Sequence, residues 1–344
     1  MNIKSLLFGS AAALVAVTGA RAADAVVVAE PEPVEYVKVC DAYGSGFYYI
    51  PGTETCLKIS GYVRNDTVVG KDPYDGSNVG DDNTETFWNR TRFTLRTDAR
   101  TETELGTLKS YAELRFNFTN GSDAETVDLN EGYIELGGFR IGAVDSQFTT
   151  FTGYLGDIIN DDVVAEGRYV TNQVSYTFAG GNGFSATVGL EQGNGVFVVD
   201  DYTPHVVAGA KFEQAWGAVS AVGGYDSVTE EWAGKLRLDV KFSDTISAWV
   251  LGGYKSDGDK TGYFGTWNGD YAVWGGAAFK VSDKATVNAQ VAYEDAGKFA
   301  AALNVGYELV PGFRITPEIN YTKFDDGFDP DDAFAGVLRF QRNF

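Results

Sequence analysis

From Cys56 onward, apolar and polar residues alternate with a period of two, in segments of about 10–13 residues. In 232–242, Trp232, Gly234, Leu236, Leu238, Val240 and Phe242 share one face, while Lys235, Arg237, Asp239 and Lys241 share the other. In 84–100, Phe87, Phe93 and Leu95 lie with Asn89 and Thr91, opposite Arg90, Arg92, Arg96 and Arg100. In 299–309, Phe299, Ala301, Leu303, Val305, Tyr307 and Leu309 oppose Ala300, Ala302, Asn304, Gly306 and Glu308. Sixteen such segments are read as strands, about 56–68, 84–100, 106–119, 125–137, 138–148, 169–179, 183–192, 204–213, 216–225, 231–243, 244–255, 268–281, 284–294, 298–310, 312–324 and 333–344.

The connections alternate as well. Tight turns such as Gly137-Gly138, Ser243-Asp244 and Ser282-Asp283 are interleaved with mostly longer loops, among them 69–83, 149–168, 193–203 and 256–267. Short turns on one rim and long loops on the other predict an all-β protein, a 16-stranded antiparallel transmembrane β-barrel. A soluble sandwich or propeller also alternates. Its strands are shorter, however, and its core could not bury Arg, Lys, Glu, Asn and Gln unpaired. A barrel that is apolar outside and wet inside satisfies every backbone group and keeps those charges in water.

Residues 1–22 carry Lys4, an apolar stretch from Leu6 to Ala20 and the small-residue pattern Ala20-Arg21-Ala22, the layout of a signal peptide cleaved after Ala22. That stretch is too short to span a bilayer as a helix, and no later one comes close, so a helical membrane protein is excluded. Removing Lys4 and Arg21 leaves 25 bases against 48 acids, a net charge of −23. So acidic a chain is a poor partner for nucleic acid. Its aromatic and β-branched content argues against disorder. Residues 23–55 read as an N-terminal periplasmic arm, extended and rich in Pro and Glu at its start. Cys40 and Cys56 are most simply a disulfide in an exported protein, with free thiols or a metal pair as the alternatives. With one histidine, His205, in the chain, a closed zinc site or a catalytic triad has little to stand on, and no cofactor is expected.

The segment Ala23–Arg64, ADAVVVAEPEPVEYVKVCDAYGSGFYYIPGTETCLKISGYVR, closely resembles the start of the alphaproteobacterial porins of the rhizobial and Brucella type. The ending Leu338-Arg339-Phe340-Gln341-Arg342-Asn343-Phe344 is similar too, and the likeness runs over the full length. The resemblance implies sixteen-stranded barrels assembled as homotrimers in the outer membrane, each with its own pore. The evenly spaced Phe334, Leu338, Phe340 and Phe344 resemble the C-terminal strand signal read by the outer-membrane insertion machinery.

Porins narrow their lumen by folding the third long loop inward, here Thr149–Arg168. Its apolar residues Phe151, Tyr154, Leu155, Ile158, Ile159, Val163 and Val164 suit packing on an inner wall. Its acids Asp157, Asp161, Asp162 and Glu166 are then expected to project into the pore. Opposite them, alternation places Lys58, Arg64, Arg90, Arg92, Arg96, Lys109, Arg115 and Arg339 on the lumen face. An acidic rim facing a basic wall predicts a transverse field in which hydrated dipolar solutes orient. The plainer alternative is that these arginines pair with wall carboxylates such as Glu113, Glu131 and Glu135.

Weak cation preference is expected from the loop acids. The aspartate-rich loops 69–83 and 325–332 lack calcium-loop spacing and suit a solvated surface, bridged to lipopolysaccharide by divalent ions. The six tryptophans Trp88, Trp216, Trp232, Trp249, Trp267 and Trp274 fit interfacial girdles, although some, such as Trp274, could face the lumen. The reading that follows is a passive diffusion porin and not an enzyme. Alternatives are a substrate-tuned channel, for example for oligosaccharides, or a structural barrel tethering the outer membrane to peptidoglycan through Ala23-Asp24. A barrel enzyme is the weakest alternative.

Overall fold

Strands form where the alternation lies, and they close on themselves. The computed structural model describes residues 38–79, 87–120, 126–325 and 327–344; the expected signal segment, Ala23 and the first part of the arm lie outside the described residues. A two-residue strand, β1 (Tyr48–Tyr49), precedes the wall. The wall begins with β2 (Cys56–Gly70), β3 (Phe87–Thr103), β4 (Gly106–Thr119), β5 (Thr126–Leu136) and β6 (Phe139–Asp145). It continues through β7 (Val170–Ala179), β8 (Phe184–Glu191), β9 (His205–Gln214), β10 (Gly217–Asp226), β11 (Glu231–Lys241) and β12 (Ile246–Lys255). It ends with β13 (Tyr271–Ser282), β14 (Ala285–Glu294), β15 (Phe299–Val310), β16 (Phe313–Lys323) and β17 (Asp332–Asn343).

Each wall strand pairs antiparallel with the next, and β17 returns to β2, giving a closed sixteen-stranded barrel. Gly61 and Phe344 exchange both backbone hydrogen bonds at 3.0 Å, so the last residue seals the seam. A closed ring leaves no sheet edge for lipid to meet, which is the condition for strands to cross a membrane.

Burial is inverted relative to a soluble protein. On β11, Lys235 and Arg237 are buried, while Trp232 and Leu236 are more than half exposed. The same phase puts Val174, Phe178, Val188, Val250, Val291 and Ile319 on the outside. β6 is the shortest wall strand, seven residues against an expected segment of eleven, because the chain leaves the wall at Ser146 to enter the lumen. Inside, Phe148, Leu155, Val163 and Val164 of the entering segment pack with Val207, Val222, Leu251, Trp267 and Trp274 of the wall and its loops into one apolar cluster.

The part of the arm that is described forms a small ring closed by the Cys40–Cys56 disulfide. β1 pairs with the first residues of β2, and Phe47 is buried beside the two cysteines. Both half-cystines are fully buried, and the free-thiol and metal-pair alternatives drop out.

Candidate functional site: a loop-narrowed lumen

The segment 146–169 between β6 and β7 is the third long loop, and it folds into the barrel. A short helix, α1 (Gln147–Thr150), starts it, with the Ser146 side chain accepting from the Phe148 N–H as N-cap. Thr149 donates to the Arg168 carbonyl at 2.7 Å, which ties the two ends of the loop together. Phe151, Leu155, Ile158, Val163 and Val164 are buried, as the sequence pattern requires; Tyr154 stays half exposed and gives its hydroxyl to Asp145 at 2.7 Å.

A loop inside a barrel must find partners for its backbone, and the lumen-facing positions of the wall supply them. Arg237 donates to the Gly153 and Tyr154 carbonyls at 3.0 and 2.7 Å. Trp274 donates to Val164 at 2.7 Å, and Asn304 to Asp157 at 2.6 Å. Glu318 accepts from the Ile159 and Asn160 N–H groups at 2.6 and 3.1 Å. These contacts run from β11 to β16, so the loop lines that side of the lumen. β17 and β2 to β4 carry Arg64, Arg90, Arg92, Arg96, Arg115 and Arg339.

The loop acids take four different environments. Asp157 is exposed and ion-paired with Arg314 of β16. Asp162 accepts from the hydroxyls of Tyr74 (2.6 Å) and Tyr169 (3.0 Å). Asp161 is half buried, and its carboxyl is pushed up to about 8 by burial first and then by Asp162, with Glu166 and Glu318 adding to it. Glu166 departs from the expectation of a pore-facing acid: it is 1% exposed and paired at 2.9 Å with the fully buried Lys235. The reason is position. Glu166 lies next to Val163 and Val164 on the side of the loop that packs against the wall.

The basic wall is partly paired. Arg90 and Arg339 share Asp66, at 3.1 and 2.6 Å. Arg96 and Arg115 share Glu113, at 2.6 and 2.8 Å. Arg64 and Arg92 bond neutral groups, Gln341 at 2.7 Å and Asn117 at 2.8 Å. Lys109 sits by Glu135 at 3.3 Å. Lys58 stands apart from these: it donates to the Ser45 carbonyl and lies over Phe47, beside the disulfide ring. Six residues separate it from Arg64, a rise of roughly 20 Å along the strand.

Several residues of this site are not legible in the sequence. The first long loop also bends inward: Tyr74 reaches Asp162, and Thr322 of β16 donates to the Pro73 carbonyl. Expected as solvated surface, this loop instead helps bound a cavity of about 480 Å³ lined by Asp66, Tyr74, Trp88, Arg90, Asn160 and Arg339 among others. The girdle expectation holds for Trp216 and Trp232, which are about half exposed outside, and fails for Trp249 and Trp267, which pack inside against the loops; for Trp274 the lumen alternative is the one that holds. His205 is fully buried, bonded to Phe197 and Ser227 and stacked on Tyr263 at 4.4 Å, a structural role at the top of β9.

The comparisons with known proteins agree with this geometry. The porin subfamily model matches residues 24–336. The chain is 51% identical to porin Omp2a of Brucella melitensis and 51% identical to porin Omp2b of Brucella neotomae, in both cases over the whole of each chain. Among solved structures, the outer membrane channel DcaP of Acinetobacter baumannii superposes with a TM-score of 0.67 at 18% identity, over 86% of this chain and 99% of that one. A triple mutant of the Rhodopseudomonas blastica porin gives 0.60 at 15% identity, over 84% and 100%. The chain belongs to the alphaproteobacterial porin family, the β-barrel diffusion channels of the outer membrane.

Proposed function

We propose that solutes pass between the arginine wall of β17 and β2–β4 and the lumen side of the third loop, and that these two surfaces set the ion preference. The observation that carries this reading is the docking of the loop on β11–β16, which leaves Arg64, Arg90, Arg92, Arg96, Arg115 and Arg339 facing it. Asp157 and Asp162 supply the opposing charge, and Asp161 joins them as pH rises through about 8; Glu166 and Lys58 do not. Small hydrophilic solutes and ions then diffuse through water held in a transverse field. Purified protein in a planar bilayer is expected to give ohmic steps with weak cation preference, which the loop acids supply. Silent bilayers with folded protein overturn the reading, and the reversal potential in a salt gradient gives the sign.

We also propose a homotrimer. On the outer face of β2 and β3, Asn65, Thr67, Asn89 and Thr91 form a hydrogen-bonded polar cluster, with Asn65–Asn89 and Asn65–Thr91 contacts at 3.1 and 3.0 Å. Amides facing hydrocarbon are costly, and a second copy packed on this face removes them from it. Phe344 suits recognition by the insertion machinery, and the acidic outer loops suit divalent-bridged lipopolysaccharide. Attachment to peptidoglycan through Ala23 is tested by mass spectrometry of lysozyme-released protein; an unmodified Ala23 counts against it.

A further inference from the structure

Arg64 and Arg92 stand directly opposite each other across the β2–β3 ladder, both on the lumen face. Like charges in register repel, and sheets ordinarily avoid the pairing or place a carboxylate between. Their four neighbours follow that rule through Asp66 and Glu113. This pair does not. Among the described residues no carboxylate lies within ion-pairing distance of either guanidinium. Each gives its Nε to an amide oxygen, Gln341 or Asn117, and Arg92 also meets the Tyr62 hydroxyl, so every partner of the two forks is uncharged. Arg64 is further held by stacking on the buried Tyr62 ring, 4.6 Å from its centroid. Two immobilised forks side by side, in a patch with more guanidiniums than carboxylates, are half of an ion-binding site.

We propose that Arg64 and Arg92 form a shallow binding site for tetrahedral oxyanions of the phosphate type within the pore. The site rests on the arginine wall being the solute path. A tetrahedral dianion presents oxygens to both forks at once and cancels the repulsion between them, whereas chloride or a planar monoanion reaches only one in a charge-assisted geometry. The site is open to the lumen, so it holds its ligand weakly and releases it, which raises the local concentration of phosphate-bearing solutes along the arginine wall without closing the path.

Inorganic phosphate is the probe. With purified protein in a planar bilayer in potassium chloride, phosphate is expected to lower the conductance in a saturable way, sulfate to do the same, and nitrate not. Arg64→Gln and Arg92→Gln each raise the half-saturating phosphate concentration about ten-fold, and the double variant abolishes the effect. Arg→Lys at either position keeps the charge, loses the fork and gives an intermediate shift. Lys284→Gln, in the β13–β14 turn, leaves the response unchanged. Because each Gln substitution relieves like-charge repulsion, the variants are expected to fold, which heat-modified gel mobility checks. Ohmic wild-type channels that ignore phosphate, or a double variant that responds like wild type, overturn the proposal; absence of channels overturns the porin path instead.

Discussion

A carboxylate shared between two guanidiniums behaves differently from one held by a single partner. Asp66 is buried and neutralises part of the charge of both Arg90 and Arg339. Asp66→Asn therefore frees positive charge on the wall and is expected to move the reversal potential toward anions, measured in a salt gradient. Glycine acts at the same scale on the other side of the lumen. A Cβ at Gly276 would lie 2.6 Å from the Trp249 ring, which itself lies under the third loop at Gly156. Gly276→Val is expected to displace that ring, with greater single-channel noise as the loop loses its support. The alternation places position 276 on the inner face; nothing in it says that an indole needs the space.

The third loop is the element on which selectivity depends, and its anchors differ in kind. Lys235→Met leaves Glu166 buried without its partner, at a cost of roughly 3–5 kcal/mol if it stays ionised. Proton uptake by Glu166 lowers that cost, and Lys235→Met with Glu166→Gln is expected to recover most of the loss in thermal unfolding of the folded barrel. Asp161 gives the loop a pH dependence. Its pKa of about 8 lies above that of a free carboxyl, so docking favours the protonated form. That stabilisation is complete below the ordinary carboxylate range and is lost as pH rises through about 8. The same titration adds a negative charge to the constriction, so cation preference is expected to increase across this range and to stay flat in Asp161→Asn. That such a loop enters the lumen is what the porin resemblance implies, and its apolar residues agree with it. Its pairings were not legible, because Glu166 and Lys235 are 69 positions apart and Tyr74 and Asp162 are 88 apart.

At the scale of the molecule, the strand count, the turn pattern and the inverted burial follow from a period-two code that needs no tertiary information. The tryptophans break that code: an interfacial girdle and a lumen anchor require the same residue type, and only the loops packed inside distinguish Trp249 from Trp232. The polar cluster on β2 and β3 is also written in the alternation, as Asn89 and Thr91 on the face of Phe93, and it gains meaning only when the whole outer surface is compared. Asn89→Leu with Thr91→Leu is expected to weaken association between copies, read as a shift from trimer to monomer on native gels with the barrel intact.

The reciprocal bonds between Gly61 and Phe344 have a further consequence for biogenesis. Every hairpin of the wall can zip to its predecessor as it emerges, but the cylinder shuts only when β17 pairs with β2 along Ala335–Asn343. Until then two unpaired borders stay open, and a chain lacking β17 would remain an unfinished curl rather than a slightly smaller tube.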